Sequence, residues 1–309
     1  MIDDNINSYK KIVNENQLKD NDFLFSSLAF NEFNSTKCKY LFAHSTSKIS
    51  MIFGVSETTM SAPFSAPFSF IRYGSKDLKI KQIRNFYTDL INDVNKNEEI
   101  EKISITLPPY FYGNSIITKN SISLSDAGFS LLHRDINSHI DVHNHNMEEL
   151  GSSAKKAIRS SMKYEHEILY ADDITQKKKS YTIIKQNRDS KGYPLRMTWE
   201  QIKSTTENVA KCDFFVVKTN GYDSAAAVVF HINQETVQVV YWGGNEYGEK
   251  HGVMYYLPFE LIDFYKKKGV RYIDIGPSSE NGVVSDGLND YKQMIGCDNT
   301  IKETWVYNK

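Results

Sequence analysis

The chain is poor in the features that announce a chemistry on their own. It has three cysteines, Cys38, Cys212 and Cys297, odd in number and far apart. That excludes a disulfide framework and a cysteine metal cluster, and the three read as reduced thiols. There is no basic excess: 37 Lys and Arg face 38 Asp and Glu, for a net charge of −1. That balance argues against a dedicated nucleic-acid binder, DNA included, and leaves room for a local basic groove. No apolar run approaches the roughly 18 residues of a membrane span. The opening residues, MIDDNINSYKK, are acidic and polar and lack the apolar stretch of a secretory signal. A soluble, cytoplasmic protein is the expectation. The sequence has no Walker loop, no Gly-x-Ser-x-Gly and no His-Glu-x-x-His. His139, His143 and His145 are spaced i, i+4 and i+6, which does not place three ligands on one helix face, so they read as linker residues and no metal is expected. With no nucleophile motif, any group transfer falls to direct attack by the acceptor.

What the chain does have is a 40% hydrophobic, 13% aromatic composition over 309 residues, enough for two buried cores. Residues 39–44 and 49–55 read as strands, and residues 213–218, 224–232 and 236–242 as a three-stranded meander. Downstream of each group the same order recurs. Ile83, Phe86, Leu90 and Val94 mark a helix over 79–97, and Leu257, Leu261, Ile262 and Tyr265 mark another over 254–268, closed by Gly269. A strand follows each, at 102–107 and 270–275, and each stops at a proline, Pro108 or Pro277. A helical stretch then leads to Gly128, 20 positions beyond Pro108, and to Gly296, 19 positions beyond Pro277. A final strand closes each half, at about 130–142 and 301–307. This is a repeat of architecture rather than of residue identity. It predicts an α/β (α+β type) protein with two domains, 1–145 and 146–309, each a mixed, mostly antiparallel sheet flanked by helices.

Residues 273–297 carry a resemblance. A strand ending in Asp274-x-Gly276 is followed by Ser278, a Gly/Asn loop, Gly287-Leu288, the pair Tyr291-Lys292 and Gly296. This block resembles a motif of the Fem-type peptidoglycan-bridge transferases (FemABX-like) and related double acetyltransferase-fold N-acyltransferases. Residues 152–165 are similar to that family's basic helix, with Arg159 in its arginine position. Residues 187–202, with Arg188, are similar to its Arg…Gly-x-Pro segment, and residues 240–245 and 105–112 fit as well. Two departures stand out: no long heptad helical pair interrupts the second half, and Tyr291 occupies a position where the family often has Phe.

The resemblance implies two tandem GNAT-like (Gcn5-related) folds, with the second half as the catalytic domain. It implies an acyl donor, either acyl-CoA or an acyl carrier protein thioester, or charged (aminoacyl-) tRNA. It also implies an amine acceptor on a cell-envelope precursor or nucleotide sugar. It places the functional lysine at Lys292. A developing oxyanion needs a donor aimed at it, and an ammonium suits that task; spacing alone reads Lys292 as a surface lysine at a helix end.

Asp274 lies in an otherwise apolar strand and faces opposite to Ile273 and Ile275. It reads as a group that orients the amine or takes its proton, or as a helix cap or ion-pair partner. Ser278 follows the Pro277 break as a possible ligand contact or a turn residue. Arg159, Arg188 and Tyr241 are candidate substrate contacts, as is Tyr291; of Tyr241 and Trp242, one is expected in the core and the other lining a cleft. In this fold class a phosphate-bearing donor meets unpaired amides at a strand-to-helix turn. Here that turn is Glu249-Lys250-His251-Gly252-Val253-Met254. Gly252, Lys250 and the preceding Gly244 are the donor-binding candidates, although Glu249 and Met254 stand where a basic or amide residue and a small residue are usual. A catalytically silent binding module of the same fold is the competing reading.

Overall fold

In the computed structural model the described residues are 23–74, 77–193 and 195–309. They form two compact units. The first takes the described residues up to Ile136 together with Asn281–Val283 and Thr300–Lys309; the second takes Asn137–Glu280 and Val284–Asn299.

The first unit begins with helix α1 (Leu28–Phe33) and strands β1 (Tyr40–Ser45), β2 (Ile49–Ser56), β3 (Thr59–Ala62) and β4 (Arg72–Tyr73). Helix α2 (Ile80–Asn95) follows. Ile83, Phe86, Tyr87, Leu90, Ile91 and Val94 recur at helical spacing and are its buried residues. Strand β5 (Lys102–Thr106), helix α3 (Asn114–Asp126) and the long strand β6 (Ser130–Asp141) complete the first half of the chain. β5 alternates cleanly, with Ile103 and Ile105 buried between half-buried polar residues. β3 and β5 run parallel and pair from Thr59↔Lys102 to Ala62↔Ile105, which takes in every residue of β3.

The second unit opens with helix α4 (Ser152–Ser161) and strand β7 (His166–Tyr170). Helices α5 (Ile174–Ser190) and α6 (Trp199–Asn208) come next, then the antiparallel meander β8 (Cys212–Thr219), β9 (Tyr222–His231) and β10 (Thr236–Gly244). A one-turn helix α7 (Glu246–Lys250) leads to α8 (Leu257–Lys267) and β11 (Tyr272–Pro277). Two short extended pieces, β12 (Ser279–Glu280) and β13 (Val283–Val284), precede α9 (Asp286–Met294) and β14 (Asp298–Asn308). Ile273, Ile275, Val237 and Val239 turn one face of the sheet onto Leu257, Leu261, Ile262 and Tyr265 of α8, all buried in one apolar cluster.

The last strands are exchanged. β6 follows the first unit's helix α3, yet its end, Asn137–Asp141, pairs antiparallel with β11. β14 follows α9 and pairs antiparallel with β5 through Thr304–Asn308. The compact units therefore differ from a simple cut at 145/146. Strand pairing satisfies backbone groups wherever a partner edge is available, and that edge is not the one nearest in sequence.

The predicted helices and strands are present with boundary shifts of a few residues. Strand β7 and helix α5 have no counterpart among them. His139 is not in a linker: it lies in β6, is 6% exposed, and burial lowers its pKa.

Candidate active site

β10 and β11 run parallel, but only three residue pairs join them: Thr236↔Tyr272, Val237↔Ile273 and Gln238↔Asp274. Beyond that point both strands continue, to Gly244 and Pro277, without further pairing to each other. Each strand changes register against its other neighbour just where they part. β10 shifts against β9 between Val239 and Tyr241, and β11 shifts against β6 between Asp274 and Gly276. A bulge adds a residue and bends its strand, so two bulges at the same level open a split in the sheet. Gly276, at φ +83°, takes a left-handed conformation that a side chain would strain.

A buried polar cluster sits at the closed end of this split. Asp274 is fully buried. Its Oδ1 accepts from Asn137 Nδ2 at 2.7 Å and from the Gly276 N–H at 2.8 Å, and its Oδ2 accepts from Gln238 Nε2 at 2.7 Å. Burying a carboxylate demands such partners. Lys292, on α9, is 3% exposed, and its Nζ donates to the carbonyls of Gly276 and Pro277, both at 2.8 Å. Burial pulls the ammonium down to about 8, against the opposing pull of Cys297 and Asp274. Ser278 is 1% exposed and its Oγ lies 3.1 Å from Ser138 Oγ; Ser138 in turn donates to Asn299 Oδ1 at 3.0 Å. The structure thus brings Asp274, Ser278 and Lys292 together. It adds Asn137, Ser138, Gln238 and Asn299, which sequence reasoning missed. Gln238 carried the same signal as Asp274, a polar residue inside the apolar strand Val237-Gln238-Val239; Asn137 carried none.

Tyr291 precedes Lys292 and serves packing. Its hydroxyl donates to the Met254 carbonyl at 2.7 Å, its ring lies 6.3 Å from Trp242 and 5.9 Å from Tyr255, and burial raises its pKa. Trp242 is the partner of the pair Tyr241-Trp242 that packs against the α8-side core. Tyr241 is half-buried, and its phenol lies close to the Met197 backbone and to the guanidinium groups of Arg188 and Arg196. Burial raises its pKa, and the two arginines oppose that rise. Tyr241 and Arg188 therefore form a second, basic and aromatic group. Arg159 is exposed in the last turn of α4, two residues before Ser161, which abuts Gly252.

The turn that follows β10 is packed and internally bonded. Gly244 is buried, its carbonyl accepts from Asn187 Nδ2, and a Cβ on it would come within 2.9 Å of Val253. The Asn245 side chain caps α7 by accepting from Gly248 N–H at 2.8 Å. The N–H groups of Glu249, His251 and Gly252 go to the carbonyls of Asn245, Gly248 and Glu249. Gly252 takes φ +70° and would place a Cβ 3.0 Å from that of Ser161. Lys250 is exposed and paired with Glu246 at 2.7 Å. Gly252 and Gly244 are thus explained by backbone conformation and packing. Three of the amides expected to cradle a phosphate, those of Glu249, His251 and Gly252, are committed within the turn.

No protein-family model matches the chain, and no curated protein matches its sequence. Solved structures do match in fold. FemX superposes with a TM-score of 0.67 at 11% identity, over 97% of this chain and 96% of that one. A conserved protein of unknown function from Bacteroides thetaiotaomicron gives 0.62 at 13% identity, over 94% and 92%. L-PGS from Bacillus licheniformis gives 0.58 at 10% identity, over 87% and 84%. The chain therefore has the fold of FemX and L-PGS, in keeping with the FemABX-like fold that the resemblance implies. Among the described residues no helix is long and apolar enough to cross a membrane, and no group of three His, Cys, Asp or Glu side chains is placed to hold a metal.

Proposed function

We propose that the second unit is an N-acyltransferase that moves an acyl or aminoacyl group from an activated ester onto an amine, in a cytoplasmic setting. One observation carries this reading: a parallel strand pair splits after three residue pairs, and a buried ammonium, Lys292, is anchored at the end of the strand that turns away. In the reaction the acceptor nitrogen attacks the donor carbonyl. A C–N bond forms, the C–S or C–O bond breaks, and the leaving group takes the proton that the amine sheds. The tetrahedral intermediate carries an oxyanion, and a preorganised donor there is a large source of rate. Two of the three Nζ protons of Lys292 are committed to carbonyls, and the third is assigned to that oxyanion. Tyr241 and Arg188, with Arg159 further out, are assigned to the acceptor, whose phosphate or carboxylate they suit, as on a cell-envelope precursor or nucleotide sugar.

The donor is an acyl-CoA, an acyl carrier thioester or charged tRNA. The committed amides of Gly248, Glu249, His251 and Gly252 favour a donor that is not gripped by a pyrophosphate at that turn, and so favour the carrier protein or tRNA over ordinary CoA binding. The test is a melting-point panel of CoA thioesters, acyl carrier proteins and charged tRNA, followed by transfer to amines with the donor that stabilises. Linkage raises the midpoint for a true ligand. Turnover lost in Lys292→Met with the fold intact supports the proposal; donor binding with unchanged transfer in that variant contradicts it.

A further inference from the structure

Asp274 has no geometry for proton transfer to an outside amine. It is fully buried, and both of its oxygens already accept hydrogen bonds. The backbone donor, the Gly276 N–H, is the one with consequences. Gly276 is tied at both ends: its N–H goes to Asp274, and its carbonyl receives Lys292 Nζ. Fixing the Gly276 peptide therefore fixes where the ammonium sits. The two side chains that aim the Asp274 carboxylate are themselves buried, Asn137 at 2% and Gln238 at 5% exposure, and they come from the two strands that flank β11.

We infer that Asn137 and Gln238 are positioning residues that act on Lys292 through Asp274 and the Gly276 peptide. This assignment rests on the transferase reading for its purpose, but not for its geometry. A side brace runs in parallel: Ser278 Oγ meets Ser138 Oγ, Ser138 donates to Asn299, and Asn299 Nδ2 donates to Asn289 Oδ1 at 3.0 Å, on α9 three residues before Lys292. The turn after β11 and the helix that carries the lysine are thus held by two connected sets of polar side chains. A network is worth having only when every member is satisfied, because one missing partner strands the rest in a low-dielectric interior. Loss of either amide takes one hydrogen bond from the Asp274 carboxylate, lets it rotate, and releases the Gly276 turn and with it the two carbonyls that hold Nζ.

The readout is the titration of Lys292 itself, followed through its side-chain signals in lysine-labelled protein by NMR. The signal is assigned by its absence in Lys292→Met. Asp274 and Cys297 are the titratable groups whose charges act on it. In the wild type the midpoint is expected near 8. In Asn137→Ala, and in the nearly isosteric Gln238→Met, it should move toward 10.5 by about half a unit or more as water reaches the ammonium. A role confined to stability would lower the melting point and leave the midpoint in place. An unmoved midpoint in both folded variants overturns the inference. No substrate enters this experiment, so the two proposals fail separately. A responsive Lys292 in a protein that binds no donor supports the brace and removes the transferase reading. An unresponsive one in an active enzyme removes the brace alone.

Discussion

Each unit contains a parallel strand pair flanked by antiparallel neighbours, and the two pairs differ at their ends. In the first unit β3 is paired with β5 along its whole length, and the chain leaves at Pro63. In the second, β10 outruns its pairing with β11 by six residues and both strands bulge. Buried carboxylates mark both places. Glu303, 3% exposed on β14 beside β5, accepts from Ser121 Oγ, Arg134 Nε and Trp305 Nε1 at 2.7, 3.1 and 3.2 Å. Asp274 accepts from two amides and a backbone N–H, and its turn grips the buried ammonium of Lys292. The same topology therefore serves two ends. One strand end is paired beside a satisfied carboxylate; the other is split beside a buried ammonium, the arrangement on which the proposed oxyanion role rests.

The sharpest way to break this contrast is to remove each charge. Lys292→Met should lower transfer about 100- to 1,000-fold with the fold intact, the range for losing one oxyanion donor. Glu303→Gln should leave transfer unchanged and cost about 1–3 kcal/mol on denaturant unfolding, because one buried bonding geometry is disturbed. The reverse pattern would move the chemistry to the first unit. Asp274→Leu should cost about 3–5 kcal/mol, since it strands three buried donors.

The pH dependence follows from Lys292, whose native pKa of about 8 lies below the ordinary 10.5. Transfer that needs the ammonium should fall as pH rises through about 8. Stability moves the other way. Between pH 8 and 10.5 the unfolded chain holds the Lys292 proton more tightly than the native one, so stability rises with pH across that window. Relative to Lys292→Met the gain should be roughly 3 kcal/mol, measured by urea unfolding at each pH. A flat difference would mean that the ammonium is not buried.

Smaller effects test the turn after β10. Gly252→Ala should cost about 1–2 kcal/mol, from its left-handed backbone and the contact with Ser161. Lys250→Ala should change neither the melting point nor donor affinity, because its ammonium sits in an exposed pair with Glu246. A marked loss of donor affinity would return the phosphate to this turn.

How much of this was legible beforehand depends on how local the cause was. Helix α2 and strand β5 were readable because Ile83, Phe86 and Leu90, then Ile103 and Ile105, repeat at the period of their element. Asp274 was readable as a lone carboxylate in an apolar strand. Its surroundings were not, because Asn137 lies 137 positions away. Lys292 showed only through the block that resembles a family motif; spacing placed it on a surface, and burial came from packing α9 beneath the turn of β11. The exchange of β6 and β14 left no trace in sequence, since pairing partners are chosen by shape in space.

The most direct test of the central claim is hydrogen exchange, read by mass spectrometry, with and without the donor that raises the melting point. Donor-dependent protection is expected at 238–244, 274–280 and 286–294, around the split between β10 and β11, and none at 102–112 at the end of β5. Protection confined to 102–112 would contradict it.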